Sequence, residues 1–162
     1  MKIGGSASAL AAFAAAGLLK TTQAMANAWN KTGFESKALP DALKALGAAG
    51  ATESRDIVIT APDIAENGAV VPIEVVSRIP NTQSISIIAE KNPFPLAATM
   101  DLANGAEPYG YVRIKMGQTS NVRVVVKADG KFFSAVKEVK SPSAAAADSR
   151  RYRSRTSRNS HG

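Results

Sequence analysis

Apolar and polar residues alternate along the second half of the chain with the period of β-strands. The segment Tyr111–Met116 alternates strictly, and Val122–Lys127 repeats the pattern with one extra valine. A period of two is typical of strands with one buried face. Between the second run and the Phe-rich run Phe132–Lys140 lies the pair Asp129-Gly130, which tolerates the positive φ angles of a two-residue hairpin turn. The pattern predicts three strands, the last of which brings the chain end to a sheet edge.

Similar short runs precede this region and are separated by segments rich in turn-forming residues. Within the longest of them, one face carries aliphatic side chains and Ser77, while Glu74 and Arg78 lie on the other. The predicted strands are Ile57–Thr60, Val70–Ile79, Ser84–Ile88 and Leu96–Leu102. About seven short strands with almost no helix after residue 50 predict an all-β fold, an antiparallel β-sandwich of the immunoglobulin-like kind.

One short helix is expected ahead of the strands. Leu39, Leu43 and Leu46 recur at helical spacing, Pro40 suits a first helical turn, and a glycine at 47 or 50 suits the end. We expect this helix to pack on the sandwich, so the domain is predicted to span residues 27–140.

Residues 1–26 have the pattern of an export signal. Lys2 precedes an apolar stretch of small residues, and Ala24-Met25-Ala26 fits the small-x-small pattern of a cleavage site before Asn27. The stretch is short and alanine-rich for a membrane span, and a buried N-terminal helix is the alternative. The opening Met-Lys-Ile-Gly-Gly resembles the part of a twin-arginine signal that follows the arginine pair, but the pair itself is absent. Export to the periplasm is expected, with no membrane attachment after cleavage and with the route left open.

The excess of basic over acidic side chains lies mostly at the two ends of the chain. The formal net charge is +7, yet residues 27–140 carry 13 basic and 12 acidic side chains, a balance of +1. Residues 141–162 contain five arginines and one aspartate, a balance of +4. A basic groove across the domain is therefore not expected, and an electrostatic case for nucleic acid would depend on the tail alone.

Few residue types in the chain could support catalysis. Cysteine is absent and the single histidine, His161, is the penultimate residue, which argues against thiol nucleophiles and histidine-based catalytic or metal sites. Asp63 and Glu66 share a loop but lack further oxygen ligands. Met100 and Met116 are poor copper ligands without histidine or cysteine and suit core packing better. The chain is predicted not to be an enzyme, with no catalytic, cofactor-binding or metal-binding residues.

Several short motifs along the chain are specific enough to suggest a family. The most specific is Arg113-Ile-Lys-Met-Gly-Gln-Thr-Ser-Asn-Val-Arg123. The others are Ala106-Glu-Pro-Tyr109, Ala128-Asp-Gly-Lys-Phe-Phe133, Lys137-Glu-Val-Lys140, Phe34-Glu-Ser-Lys-Ala-Leu39 and Asn92-Pro-Phe-Pro-Leu-Ala-Ala-Thr99. Together they resemble the SoxY family, the sulfur-carrier subunits of the periplasmic thiosulfate-oxidising Sox system. The resemblance covers roughly residues 1–140.

This resemblance implies an immunoglobulin-like sandwich that forms a heterodimer with a second β-sandwich protein, SoxZ, and meets other Sox enzymes transiently. It also implies a C-terminal arm, Gly-Gly-Cys-Gly-Gly, whose cysteine carries sulfur covalently between enzymes. Flanking glycines restrict the backbone little, which suits an arm that enters several active sites.

The sequence departs from the family where the arm should be. After Lys140 an Arg/Ser-rich segment, 141–162, replaces it and is expected to be disordered, and no thiol is present. The codons TCA CCA TCG GCG GCT GCG GCG, followed by GA, would encode residues 141–147 and the start of Asp148. With one preceding G, the same bases encode Val-Thr-Ile-Gly-Gly-Cys-Gly-Gly, with the cysteine at the position of Ala146. The hypothesis is that one base has been lost near the Lys140 codon.

Two alternatives remain open from the sequence alone. If the tail is a functional product, its arginines could contact phosphates while Tyr152 stacks on a base. The arginines are Arg150, Arg151, Arg153, Arg155 and Arg158. The composition favours a disordered polar tail instead, and nucleic acid is not expected as a partner. The second alternative is a generic periplasmic immunoglobulin-like interaction module.

Overall fold

The computed structural model describes residues 30–103 and 105–141, which form two short helices and eight strands. Trp29, the predicted export signal and the segment from 142 onward lie outside the described residues. The helices are α1 (Lys31–Glu35) and α2 (Leu39–Ala45). The strands are β1 (Thr52–Glu53), β2 (Ile57–Thr60), β3 (Val71–Ser77), β4 (Thr82–Ala89), β5 (Leu96–Asp101), β6 (Tyr109–Ile114), β7 (Ser120–Ala128) and β8 (Lys131–Val139).

The strands form two sheets that face each other, as the sequence predicts. One sheet has the order β1-β8-β7-β4-β5 and the other β2-β3-β6. All pairings between these strands are antiparallel except the short parallel pairing of β1 with β8. An isolated parallel bridge also joins Ile64 to Lys140. Between the sheets lies the main core, which includes Ile73, Ile85, Ile87, Val124 and Val126, all without exposed surface. Burying each such side chain contributes about 1.5–3 kcal/mol relative to leaving it exposed.

A second, smaller core lies on the outer face of the five-stranded sheet. Ala42 of α2 packs there with Ile88, Leu96 and Val125. This second layer explains why five consecutive residues at the end of β4 are buried. In an antiparallel sheet with one solvated face, alternate residues would be exposed, but here the helices cover the positions that point outward.

The prediction of a single helix was incomplete, because two are present. Asn30 caps α1 by accepting a hydrogen bond from the Gly33 N–H through its side-chain oxygen at 2.9 Å, and its amide donates to the Ala45 carbonyl of α2 at 3.0 Å. With five residues, α1 is too short to show a helical period. The second helix is the predicted one: Pro40 lies in its first turn, and Gly47 follows its end with a φ of +74°.

Predicted strands agree with the observed ones to within about two residues, apart from the short β1. The Asp129-Gly130 turn is confirmed: the two residues have φ angles of 49° and 71° and connect β7 to β8. The largest shift is at β6, which begins at Tyr109 and ends at Ile114. Met116 lies beyond its end and donates its N–H to the Gly68 carbonyl at 2.7 Å.

Candidate functional site: the root of the C-terminal arm

The chain leaves the sandwich at the end where three loops converge. These loops are residues 61–70 between β2 and β3, 90–95 between β4 and β5, and 115–119 between β6 and β7. Beyond β8 the last described residues are Lys140 and Ser141, which we call the arm root. Any carrier arm continuing from β8 would start at this point.

Backbone hydrogen bonds fix the arm root in position. The Lys140 N–H donates to the Asp63 carbonyl at 2.9 Å, and its own carbonyl accepts from the Ala65 N–H at 2.9 Å. One residue later, the Ser141 N–H donates to Thr119 Oγ1 at 2.9 Å. Ser141 is only 7% exposed. These hydrogen bonds therefore define the path of the chain up to Ser141.

Hydrogen bonds also join the neighbouring loops to one another. The Lys91 N–H donates to Ser120 Oγ at 3.0 Å, and the Gln118 side-chain amide donates to the Lys91 carbonyl at 3.2 Å. The Asn92 amide donates to the Lys115 carbonyl at 2.6 Å. The second and third of these bonds link the 90–95 and 115–119 loops, and the first links Lys91 to the start of β7, next to Thr119.

A partly buried ion pair lies at the same end of the five-stranded sheet. Arg123 Nη2 lies 2.8 Å from Glu90 Oε1, and Arg123 Nε donates to the same oxygen at 2.8 Å. The other carboxylate oxygen accepts from the Asn121 amide at 3.2 Å. Only 16% of the Glu90 side chain and 28% of the Arg123 side chain are exposed. The second arginine of the specific sequence motif therefore holds the loop that follows β4.

The carboxylates considered as a possible metal pair have other surroundings. Asp63 is exposed, and one of its oxygens lies 3.2 Å from Lys137 Nζ, which also donates to the Ala61 carbonyl at 2.7 Å. Within 30–103 and 105–141, no group of three or more His, Cys, Asp or Glu side chains could hold a metal ion. What Asp63 contributes to the arm root is its backbone carbonyl.

The two methionines considered as copper ligands, Met100 and Met116, pack in the interior of the sandwich. Met116 is 4% exposed and belongs to the main core, and Met100 packs against that core from β5. The Met100 side chain lies over Gly110 of β6, where an added Cβ would collide with it. Core packing accounts for both residues.

A groove of about 440 Å³ lies on the outer face of the five-stranded sheet beside the helices. Its floor is polar: Ser86 and Thr99 hydroxyls are 3.1 Å apart, and Ser84, Asp101 and Lys127 complete it. No histidine or second carboxylate lines it.

The sequence predicts that the chain leaves the sandwich after the last strand, but not which groups hold it there. Ala146 and the tail arginines lie outside the described residues. Thr119 and the Asp63 backbone hold the arm root, a role that the sequence does not predict because it depends on loops that meet only after folding. No helix among the described residues has the length and apolar character needed to span a membrane.

Comparisons with known proteins agree with this architecture. The model of the family described as sulfur oxidation protein SoxY matches residues 43–145. The structure of the sulfur carrier protein SoxY from Chlorobium limicola f. thiosulfatophilum is 41% identical, covers 69% of this chain and 98% of its own, and gives a TM-score of 0.59. No significant match was found among curated proteins.

Two superoxide reductase (neelaredoxin) structures from Ignicoccus hospitalis are more distant. One is 18% identical, covering 52% of this chain and 78% of its own, and the other is 19% identical, covering 63% and 91%; both give a TM-score of 0.47. Likeness at this level indicates nothing about function. The assignment rests on the family match over 103 residues (43–145) and on the 41% identity to a SoxY sulfur carrier. The chain belongs to the SoxY family.

Proposed function

We propose that this chain is a periplasmic SoxY scaffold that pairs with a SoxZ-like β-sandwich protein but, as written, cannot carry sulfur. The observation that carries the proposal is the arm root. Two backbone hydrogen bonds to the 61–70 loop and one bond to Thr119 hold the chain up to Ser141. A swinging carrier requires a fixed exit point, because the reach of a flexible arm depends on the position of its first residue.

The missing thiol supports the second half of the proposal. The sequence contains no cysteine, and neither serine nor alanine can form the covalent bond to sulfur that the carrier role needs. The family match covers the sandwich and ends at residue 145, and a one-base shift of reading frame near Lys140 would place a cysteine at the position of Ala146. Loss of one base accounts for both the intact sandwich and the unrelated tail.

Restoring the arm tests the scaffold directly. A variant in which Val-Thr-Ile-Gly-Gly-Cys-Gly-Gly follows Lys140 is expected to gain covalently bound thiosulfate when incubated with thiosulfate and the haem protein of a Sox system. In this step a sulfur–sulfur bond forms, the thiol loses its proton, and the haem protein accepts two electrons. Intact-protein mass spectrometry measures the adduct. The same arm with serine in place of cysteine is the matched control, and an unmodified cysteine variant would contradict the proposal.

Pairing with a SoxZ-like protein has its own test. The full chain is expected to co-purify with SoxZ from the same genome after co-expression, because the two-sheet body is complete without the arm. Mass spectrometry of the purified fraction identifies the partner. The variant with the restored arm is tested in the same way. If both forms of the chain purify without SoxZ, the proposed heterodimer is wrong.

A further inference from the structure

The groove on the outer face of the five-stranded sheet lies next to the point where the described chain begins. Asn30, the first described residue, is one of the residues that line it. The Asn30 side chain is held between the helices, because it accepts from the Gly33 N–H at 2.9 Å and donates to the Ala45 carbonyl at 3.0 Å. Consecutive Cα atoms are about 3.8 Å apart across a trans peptide bond. The residue that precedes Asn30 is therefore attached to the rim of the groove.

The apolar wall of the groove suits an aromatic side chain. Leu46, which follows α2, and Phe132 of β8 line it, and both are partly buried residues that pack on the second core. An aromatic ring placed against them would remove apolar surface from water on both sides of the contact. An apolar cavity of about 150 Å³ is large enough to bind benzene, so the groove of about 440 Å³ has room for the two rings of an indole.

The polar floor supplies acceptors for an indole N–H. In the sheet register Ser84 of β4 lies between Asp101 of β5 and Lys127 of β7, and the hydrogen-bonded hydroxyls of Ser86 and Thr99 lie two residues further along. The carboxylate and hydroxyl oxygens can accept a hydrogen bond, whereas the indole nitrogen can only donate one. Tryptophan N–H groups usually find such a partner when the ring is buried. An apolar wall above a floor of acceptors therefore matches tryptophan better than phenylalanine or leucine.

We propose that this groove binds the side chain of Trp29, with the ring against Leu46 and Phe132 and the Nε1–H directed to the acceptors of the floor. Trp29 is the only tryptophan in the sequence and directly precedes Asn30. One peptide bond joins it to the groove rim, so its effective concentration there is high. A free ligand or a second copy of the chain has no such advantage. The chain's own Trp29 is therefore the occupant that the position and chemistry of the groove favour.

Tryptophan fluorescence of the full chain, without any partner protein, measures this contact. The emission is expected at a shorter wavelength than in the urea-unfolded chain, with severalfold weaker quenching by acrylamide, because the ring is removed from water. Ser84→Arg places a long side chain on the groove floor and should shift the emission towards that of the unfolded chain. Gln83→Arg is the matched control: Gln83 is the preceding, exposed residue of β4 and does not line the groove, so the emission should stay unchanged.

Thermal unfolding gives a second measurement in the form of a double-mutant cycle. Trp29→Ala should lower the Tm of the wild-type chain and of the Gln83→Arg variant, because both lose the packed ring. In the Ser84→Arg variant the groove is already filled, so Trp29→Ala should leave the Tm unchanged. This comparison separates loss of the contact from a general loss of stability.

Three results would each overturn the inference: a wild-type emission equal to that of the unfolded chain, an unchanged emission in Ser84→Arg, or an equal fall in Tm on Trp29→Ala in both arginine variants. A short-wavelength emission that is lost on dilution would also overturn it, because the ring would then be bound by a second copy. The inference does not depend on the proposed carrier function, and its failure would leave the tests with SoxZ and thiosulfate untouched.

Discussion

At the scale of single residues, the ends of the sandwich are held by a few polar contacts. The described residues contain three ion pairs, and the pair of Arg123 with Glu90 has the least exposed carboxylate. In the sequence Arg123 is notable only as part of a motif. Its ion pair is not predicted, because a charged residue on a β-strand is usually solvated. Its partner lies 33 positions earlier in the chain, a contact that no local pattern predicts.

Arg123→Ala is expected to destabilise the domain by about 1–3 kcal/mol, because Glu90 would keep its mostly buried carboxylate without its cation. This corresponds to a fall in Tm of about 4–8 °C per kcal/mol for a domain of this size. Thermal unfolding followed by circular dichroism measures it. Lys31→Ala is the matched control, since the Lys31–Glu35 side chains are 71% and 65% exposed, and its effect should stay below about 0.5 kcal/mol. Equal effects of the two substitutions would contradict this account of the ion pair.

At the scale of elements, the β7–β8 hairpin connects the sandwich to the arm root. Its turn requires positive φ at both central residues. Asp129 tolerates this conformation and accepts a hydrogen bond from the Asn81 amide at 3.1 Å, while Gly130 adopts it without strain.

Gly130→Ala is expected to destabilise the domain by about 1–2 kcal/mol, the cost of a Cβ in the left-handed region. Urea unfolding measures this difference. Gly117→Ala is the control: an added Cβ there meets no atom within 4 Å, and its φ is not positive. A Gly130 variant as stable as the Gly117 variant would show that the turn does not require glycine.

The elements differ in how far the sequence predicts them. In β3 the aliphatic positions of one face are evident in the sequence, and the observed burial alternates along the strand. In β4 the alternation fails because α2 covers the outer face, so Ile88 is as buried as Ile87. The helix α1 depends on the Asn30 cap and on contact with α2 and has no period of its own. The loops at the arm root meet only in the folded chain, so the sequence predicts where the chain leaves the sandwich but not what anchors it.

At the scale of the whole molecule, a two-sheet sandwich is followed by a segment that the SoxY family model matches only as far as residue 145. Both sheets, both cores and the arm root are present, and the match to the SoxY family runs to residue 145. A chain that had lost its function gradually would be expected to accumulate substitutions in the sandwich as well. The proposed loss of a single base near Lys140 would instead leave the sandwich unchanged and alter only the segment that follows it.

The nucleotide sequence of the gene across the codons for Lys140–Asp148 tests this account most directly. We predict that the codons for residues 141–147 regroup, after insertion of one base, to encode Gly-Gly-Cys-Gly-Gly with the cysteine at the position of Ala146. Codons that cannot encode this arm in any shifted frame would contradict the account, and the tail would then have to be treated as a functional part of the protein.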